Sequence, residues 1–251
     1  MEKYPQEKFL YTVQPDDTLL SLVQKFHTTV YAVEVMNPGV DLDQLQAGQV
    51  IYMCPGYIEY SPDCHPVHGG ISRRELELSN HLRMLWEQHI AWTRMFIISA
   101  IDNLRDLELV TNRLLRNPKD FEMALRPFYG EKIASRFSDL LTEHLTIAAE
   151  LVIAAKAGNA KAAADAERRW YANAEEIAFF LGSINPFWSE EEWRTMLFEH
   201  LTLTKTEAVS RLTGDYETNI AVYDEIEAQA LGMADVMTEG IVRQFPRKFL
   251  K

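Results

Sequence analysis

The sequence predicts an α+β chain of two domains: a small β-α-α-β module, followed by an all-α antiparallel bundle made of three helical hairpins. Three observations predict it. Between Phe9 and Pro55, two short β-prone runs enclose two short stretches with helical apolar spacing. From Ile71 onward the chain turns rich in Ala, Leu, Glu and Arg with a 3.6-residue period. In that second part, Leu85–Asn103, Leu140–Asn159 and Met196–Asp215 resemble one another: each has a glutamate one or two places before a histidine, then a helical stretch and a polar break.

The N-terminal module is expected over 1–56. Phe9 to Val13 is the first strand, and the turn residues Pro15-Asp16-Asp17-Thr18 break it, with Asp17 expected as the helix N-cap. Leu19, Leu22, Val23 and Phe26 share one helical face, and Val30, Val33, Val35 and Met36 supply a second. Asn37-Pro38-Gly39 stops that second helix, because proline bars its continuation. Gly48 then leads into the strand Gln49 to Met53. A unit of roughly fifty residues has a marginal core of its own.

A Pro/Gly-rich linker is expected over 57–70. Cys54 and Cys64 lie at this junction with His65 and His68, and three readings stay open: plain linker, a Cys54–Cys64 disulfide, or a zinc clip.

The bundle is expected over 71–251, with helices near 73–101, 103–116, 130–157, 160–183, 189–212 and 216–243 and a short helix over Lys119 to Leu125. Gly158-Asn159 and Gly214-Asp215 pair a helix-ending glycine with a helix-starting cap, while Asp102-Asn103 marks a break without glycine. Asn117-Pro118 and Asn185-Pro186 separate the hairpins, since the residue before proline resists helix. Short turns force neighbouring helices to fold back on each other. Arg247 to Lys251 is expected to be no more than a frayed tail.

His89, His144 and His200 recur at separations of 55 and 56 residues, which points to one level of the bundle. Two readings are open. The histidines can form a structural polar layer, each hydrogen-bonded to a neighbouring helix. Alternatively, with Glu207, Asp224 and Glu227 in helical reach, they can hold a transition metal as ferritin-like or hemerythrin-like bundles do. The five tryptophans fit the core better than sugar stacking.

With 25 Lys+Arg against 37 Asp+Glu the chain carries −12, and no basic cluster recommends nucleic acid or an anionic membrane as partner. Met1 to Glu7 lacks the apolar core of a secretory signal, and the longest apolar run, Met95 to Ile101, is too short to span a bilayer. Synthesis in the cytoplasm is the expectation. No phosphate loop, nucleophile elbow or H-E-x-x-H appears, so the chain is expected to be non-enzymatic and without a cofactor, the metal alternative aside.

Tyr11–Leu19 (YTVQPDDTL), Asn37–Val40 (NPGV) and Leu45–Cys54 (LQAGQVIYMC) resemble a LysM module, in family order and spacing. The resemblance implies binding of N-acetylglucosamine-containing glycans, peptidoglycan above all, in a shallow groove. Its walls would be Asp16, Asp17, Thr18 and Leu19 on one side and Asn37, Pro38, Gly39 and Val40 on the other. Two positions depart from the family: Asp16 replaces a usual glycine, and Leu20 stands where an aromatic is common. If a left-handed turn is needed at Asp16, the groove is weakened.

Trp86–Arg94 (WEQHIAWTR), Leu114–Phe121 (LLRNPKDF), Arg168–Ala178 (RRWYANAEEIA) and Met233–Ile241 (MADVMTEGI) resemble the helical region that follows a LysM module in proteins of endospore-forming bacteria. That likeness implies assembly on the spore or cell wall. It implies no activity, and leaves the bundle as a structural module or a surface for a protein partner or self-association.

Overall fold

A computed structural model describes residues 9–26, 28, 33, 36, 37, 40–53 and 71–249. Strands β1 (Phe9–Thr12) and β2 (Val50–Met53) pair antiparallel, with Phe9 opposite Met53 and Thr12 opposite Val50. Alternation decides their faces: Ile51 and Met53 point into a small core with Val13, Leu22, Val23, Val33 and Leu42, while Leu10, Val50 and Tyr52 point out. Helix α1 (Leu19–Lys25) lies over this sheet. Its cap is Thr18, in a reciprocal capping box with Ser21. Asp17, expected as the cap, instead accepts hydrogen bonds from the Tyr11 hydroxyl at 2.6 Å and the Gln14 N–H at 2.7 Å, locking the strand-to-helix turn. Val33 and Met36 are helical, as the second apolar stretch requires, and a 3-10 turn over Leu42–Gln44 leads toward β2. The expected linker, with Cys54, Cys64, His65 and His68, lies outside the described residues, as do Pro38 and Gly39.

The second part is all-α: α2 (Arg73–Asp102), α3 (Leu107–Leu114), α4 (Asn117–Lys156), α5 (Ala160–Ile184), α6 (Glu190–Thr213), α7 (Tyr216–Gln244) and α8 (Pro246–Phe249). Asn159 and Asp215 cap α5 and α7, each accepting a backbone N–H three residues on, and Gly158 and Gly214 before them adopt φ of 67° and 79°. At the first break Asn103 takes the left-handed role at φ 55°, which asparagine tolerates. That turn delays the next helix to Leu107, and Ser99 donates to Asp106 at 2.9 Å across it.

The short helix expected at Lys119 is the first part of α4, with Pro118 in its first turn, where a missing N–H costs nothing. The chain leaves helical geometry at Gly130 (φ 77°, ψ 173°) and resumes, so α4 contributes to two successive hairpins.

Helix α4 packs on α5, α5 on α6, α6 on α7, and α2 closes the ring against both α7 and α4. Four of the five tryptophans, Trp86, Trp170, Trp188 and Trp193, are buried in this core. Near one end of the bundle, Asn185 donates to the Tyr129 hydroxyl, Tyr129 donates to Gln244, and Gln244 donates to the Ile184 carbonyl, tying α4, α5 and α7 together. The C-terminal segment is no frayed tail: Phe249 is buried and stacks on Phe128 at 5.9 Å. Apolar burial there outweighs the fraying that sequence position alone suggests.

Candidate functional site

Two described residues join the core of the module to that of the bundle. Leu20 of α1 and Ile133 of α4 each pack against both hydrophobic cores, and α1 lies along α5. An aliphatic residue at position 20 therefore serves as the docking contact. Beside this contact opens a cleft of about 310 Å³ with three walls. The first is the turn into α1, from Asp17 to Leu20; the second is the 3-10 turn, through Leu42, Gln44 and Leu45; the third belongs to the bundle, with Lys132, Ile133 and Arg136 of α4 and Phe180 of α5.

The structure sorts the expected groove residues. Asp17, Thr18 and Leu19 border the cleft and Asp16 is exposed next to them. Asp17 is held rigid from within: burial pulls its carboxyl up, but the bonds from Tyr11 and Gln14 and the Lys25 charge leave it below its ordinary range. Lys25 donates to the Tyr11 hydroxyl at 2.8 Å, completing the chain. Asn37 faces inward. Its side chain accepts the Tyr52 N–H at 2.7 Å and donates to the Tyr52 and Val33 carbonyls, clamping Val33 to β2. Val40 is half-buried against the core and does not border the cleft. Among described non-glycine residues only Asn103 has a positive φ, so Asp16 occupies ordinary backbone and needs no glycine. Sequence reasoning missed Leu42, Gln44 and Leu45, and could not reach Lys132, Arg136 or Phe180, which chain topology brings in from afar.

The three histidines converge. Ring centroids of His89 lie 5.7 Å from His200 and 6.4 Å from His144, and all three rings are buried. Each has the same supporting arrangement. His89 Nδ1 lies 3.2 Å from Asn117 Oδ1, His144 Nδ1 2.9 Å from Asn173 Oδ1, and His200 Nδ1 3.1 Å from Gln229 Oε1. Each amide nitrogen in turn donates to the carbonyl four residues before its histidine: Leu85, Leu140 and Met196. The reverse amide orientation would set two oxygens against each other. The amide oxygen therefore faces the ring, and Nδ1 must carry the proton. Every Nε2 is left as an acceptor, and His144 Nε2 takes the Trp170 indole N–H at 3.2 Å.

Burial of the rings, joined at His89 and His144 by repulsion from neighbouring rings, drives their pKa values down: His144 to about 3, His200 to about 4, and His89 well below its usual value. All three are neutral at pH 7. The rings border a space of about 10 Å³, the scale of one water molecule, together with Trp86 and Trp193, whose indole N–H groups have no hydrogen-bond partner in the protein.

The carboxylates expected beside these histidines are elsewhere. Glu207 pairs with Arg94 at 2.5 Å; burial outweighs that pull and lifts its carboxyl to about 7. Asp224 is exposed, and Glu227 is half-buried near Glu87, whose carboxyl burial and the Glu227 charge push up. None of the three borders the histidine space. Among the described residues no group of three or more His, Cys, Asp or Glu is placed to hold a metal ion. Chemically, the layer is a set of neutral, internally bonded imidazoles.

Fold and cleft together define an α+β protein in which a small β-α module is docked on a helical bundle, with a ligand-sized cleft at the seam. Residues 11–53 match the family model of the LysM domain, which supports a LysM-domain protein and binding of a GlcNAc-containing glycan. No curated protein and no solved structure matches the chain. No helix among the described residues is long and apolar enough to cross a membrane.

Proposed function

We propose that the protein is a non-enzymatic binder of peptidoglycan glycan strands, working at the cell wall or on the spore, with the bundle as a structural or interaction module. The observation that carries this reading is the LysM match over 11–53 beside an open cleft bordered by Asp17, Thr18 and Leu19. The histidine layer of the bundle is neutral and engaged with its own helices, which suits a packing role. Co-sedimentation of the full chain with insoluble peptidoglycan, competed by soluble N-acetylglucosamine oligomers, is the test. Retention in the pellet and release by the oligomer are expected. A chain that stays in the supernatant, or that no oligomer displaces, overturns the proposal.

A further inference from the structure

The LysM side of the cleft and its bundle side differ in charge. Asp16 and Asp17 sit on the turn into α1, and Asp41 precedes the 3-10 turn. The third wall brings two cations, Lys132 and Arg136, one turn apart on α4. Both are exposed at the cleft edge and each already has an interaction of its own, with Phe180 of α5 forming an apolar floor. Arg136 pairs with Glu176, but both side chains are about half exposed (48% and 50%), so the pair is weak and its guanidinium can turn to a competing carboxylate. The wall is fixed in place because Leu20 and Ile133 belong to both cores. At about 310 Å³ the cleft is at the lower end of the range for small-ligand sites, roughly 300 to 1,000 Å³.

We infer that the bundle completes the glycan site, and that Lys132 and Arg136 select a glycan bearing carboxylates over a neutral one. This rests on the glycan-binding reading above and adds a specificity to it. N-acetylglucosamine is uncharged, so a neutral oligomer gains nothing from the two cations. A muropeptide carries carboxylates on its stem peptide, its lactyl carboxyl being taken up in the amide that joins that peptide to the sugar. Against the acidic LysM face alone these would be repelled; the bundle wall sets two cations against that repulsion. Charge complementarity of this kind governs selectivity more than total affinity.

Calorimetric titration of the full chain with a disaccharide muropeptide and with chitohexaose tests the inference. The wild-type chain should prefer the muropeptide, and that preference should shrink as salt is raised. K132A/R136A, altered only at exposed positions, should lose about tenfold more affinity for the muropeptide than for chitohexaose, whereas K132R/R136K keeps the preference. Equal affinities of the wild-type chain for both ligands, or a parallel response of both to K132A/R136A, overturns the inference and leaves glycan binding standing. Tighter muropeptide binding by K132A/R136A also overturns it. If the wild-type chain binds neither ligand, glycan binding falls and this inference falls with it.

Discussion

His144 and Asn173, 29 residues apart in the chain, hold each other in a single orientation: Nδ1–H of the ring donates to the amide oxygen at 2.9 Å, while the amide nitrogen donates to the Leu140 carbonyl on the histidine's own helix. One side chain thus joins two helices and sets a tautomer. In Asn173→Leu the buried Nδ1–H loses its acceptor, at a cost of about 1–3 kcal/mol. Asn173→Asp retains an oxygen acceptor but buries a carboxyl beside the Leu140 carbonyl, and should cost at least as much. Urea unfolding checks both. A change below about 0.5 kcal/mol in each would show that the amide is not what holds the ring.

The histidine layer makes stability depend on pH in a defined direction. Each of His89, His144 and His200 has a folded pKa below its unfolded value of 6.5, so the unfolded chain binds more protons. Their contribution is complete above pH 6.5 and is lost as pH falls toward about 4 and 3. Glu207 acts oppositely: its carboxyl, raised from 4.5 to about 7, makes the folded state the more protonated one, so its contribution declines as pH climbs across that interval. The three histidines outnumber the raised carboxyls of Glu207 and Glu87, so the net effect between pH 4.5 and 6.5 follows the histidines. Chemical denaturation across that interval should show stability falling with acidity, and His200→Gln should flatten the slope by about one proton. A flat profile would mean that the rings are not buried neutral in solution.

Gly240 on α7 is where the Trp188 indole rests, its Nε1–H donating to the Val236 carbonyl at 3.1 Å. A methyl group at position 240 would overlap the ring of Trp188, itself 2% exposed and closely surrounded. Gly240→Ala should therefore destabilise the bundle by about 1–3 kcal/mol or more, although alanine is the better helix former. Gly232, on the same helix, meets nothing within 4 Å, and Gly232→Ala should be neutral or stabilising. Thermal melts of the two variants make the comparison; equal melting temperatures would contradict it.

Asp16 lies in ordinary backbone, so Asp16→Gly relieves no strain and should not tighten glycan binding through loop geometry. The added freedom of the unfolded chain should instead cost up to about 1 kcal/mol. Removing the carboxylate beside the cleft should favour the acidic muropeptide slightly over chitohexaose. The same calorimetric titrations measure this, and a rise in affinity for both ligands together would show that the loop was strained.

Local chemistry was legible where one residue type settles the backbone. Gly158-Asn159 and Gly214-Asp215 end and start helices as expected, since positive φ and side-chain capping belong to those residues. The histidine spacing likewise foretold a common level, because each histidine stands at nearly the same distance before the end of its helix, at Asp102, Lys156 and Thr213. Cap choice between Asp17 and Thr18 was not legible, since both can cap and only the Tyr11 hydroxyl on β1 claims Asp17.

What the sequence by itself determined is therefore the strand pair and the long helices, the module of residues 11–53, and the three histidines on matching turns. The tertiary structure alone decided what those parts face. It drew Asn117, Asn173 and Gln229 onto the rings and left Glu207, Asp224 and Glu227 elsewhere; it also placed Lys132 and Arg136 across from Asp17. Periodicity fixes which side of a helix is apolar, but the partner of a polar side chain is set by how helices distant in sequence pack, and no local pattern records that.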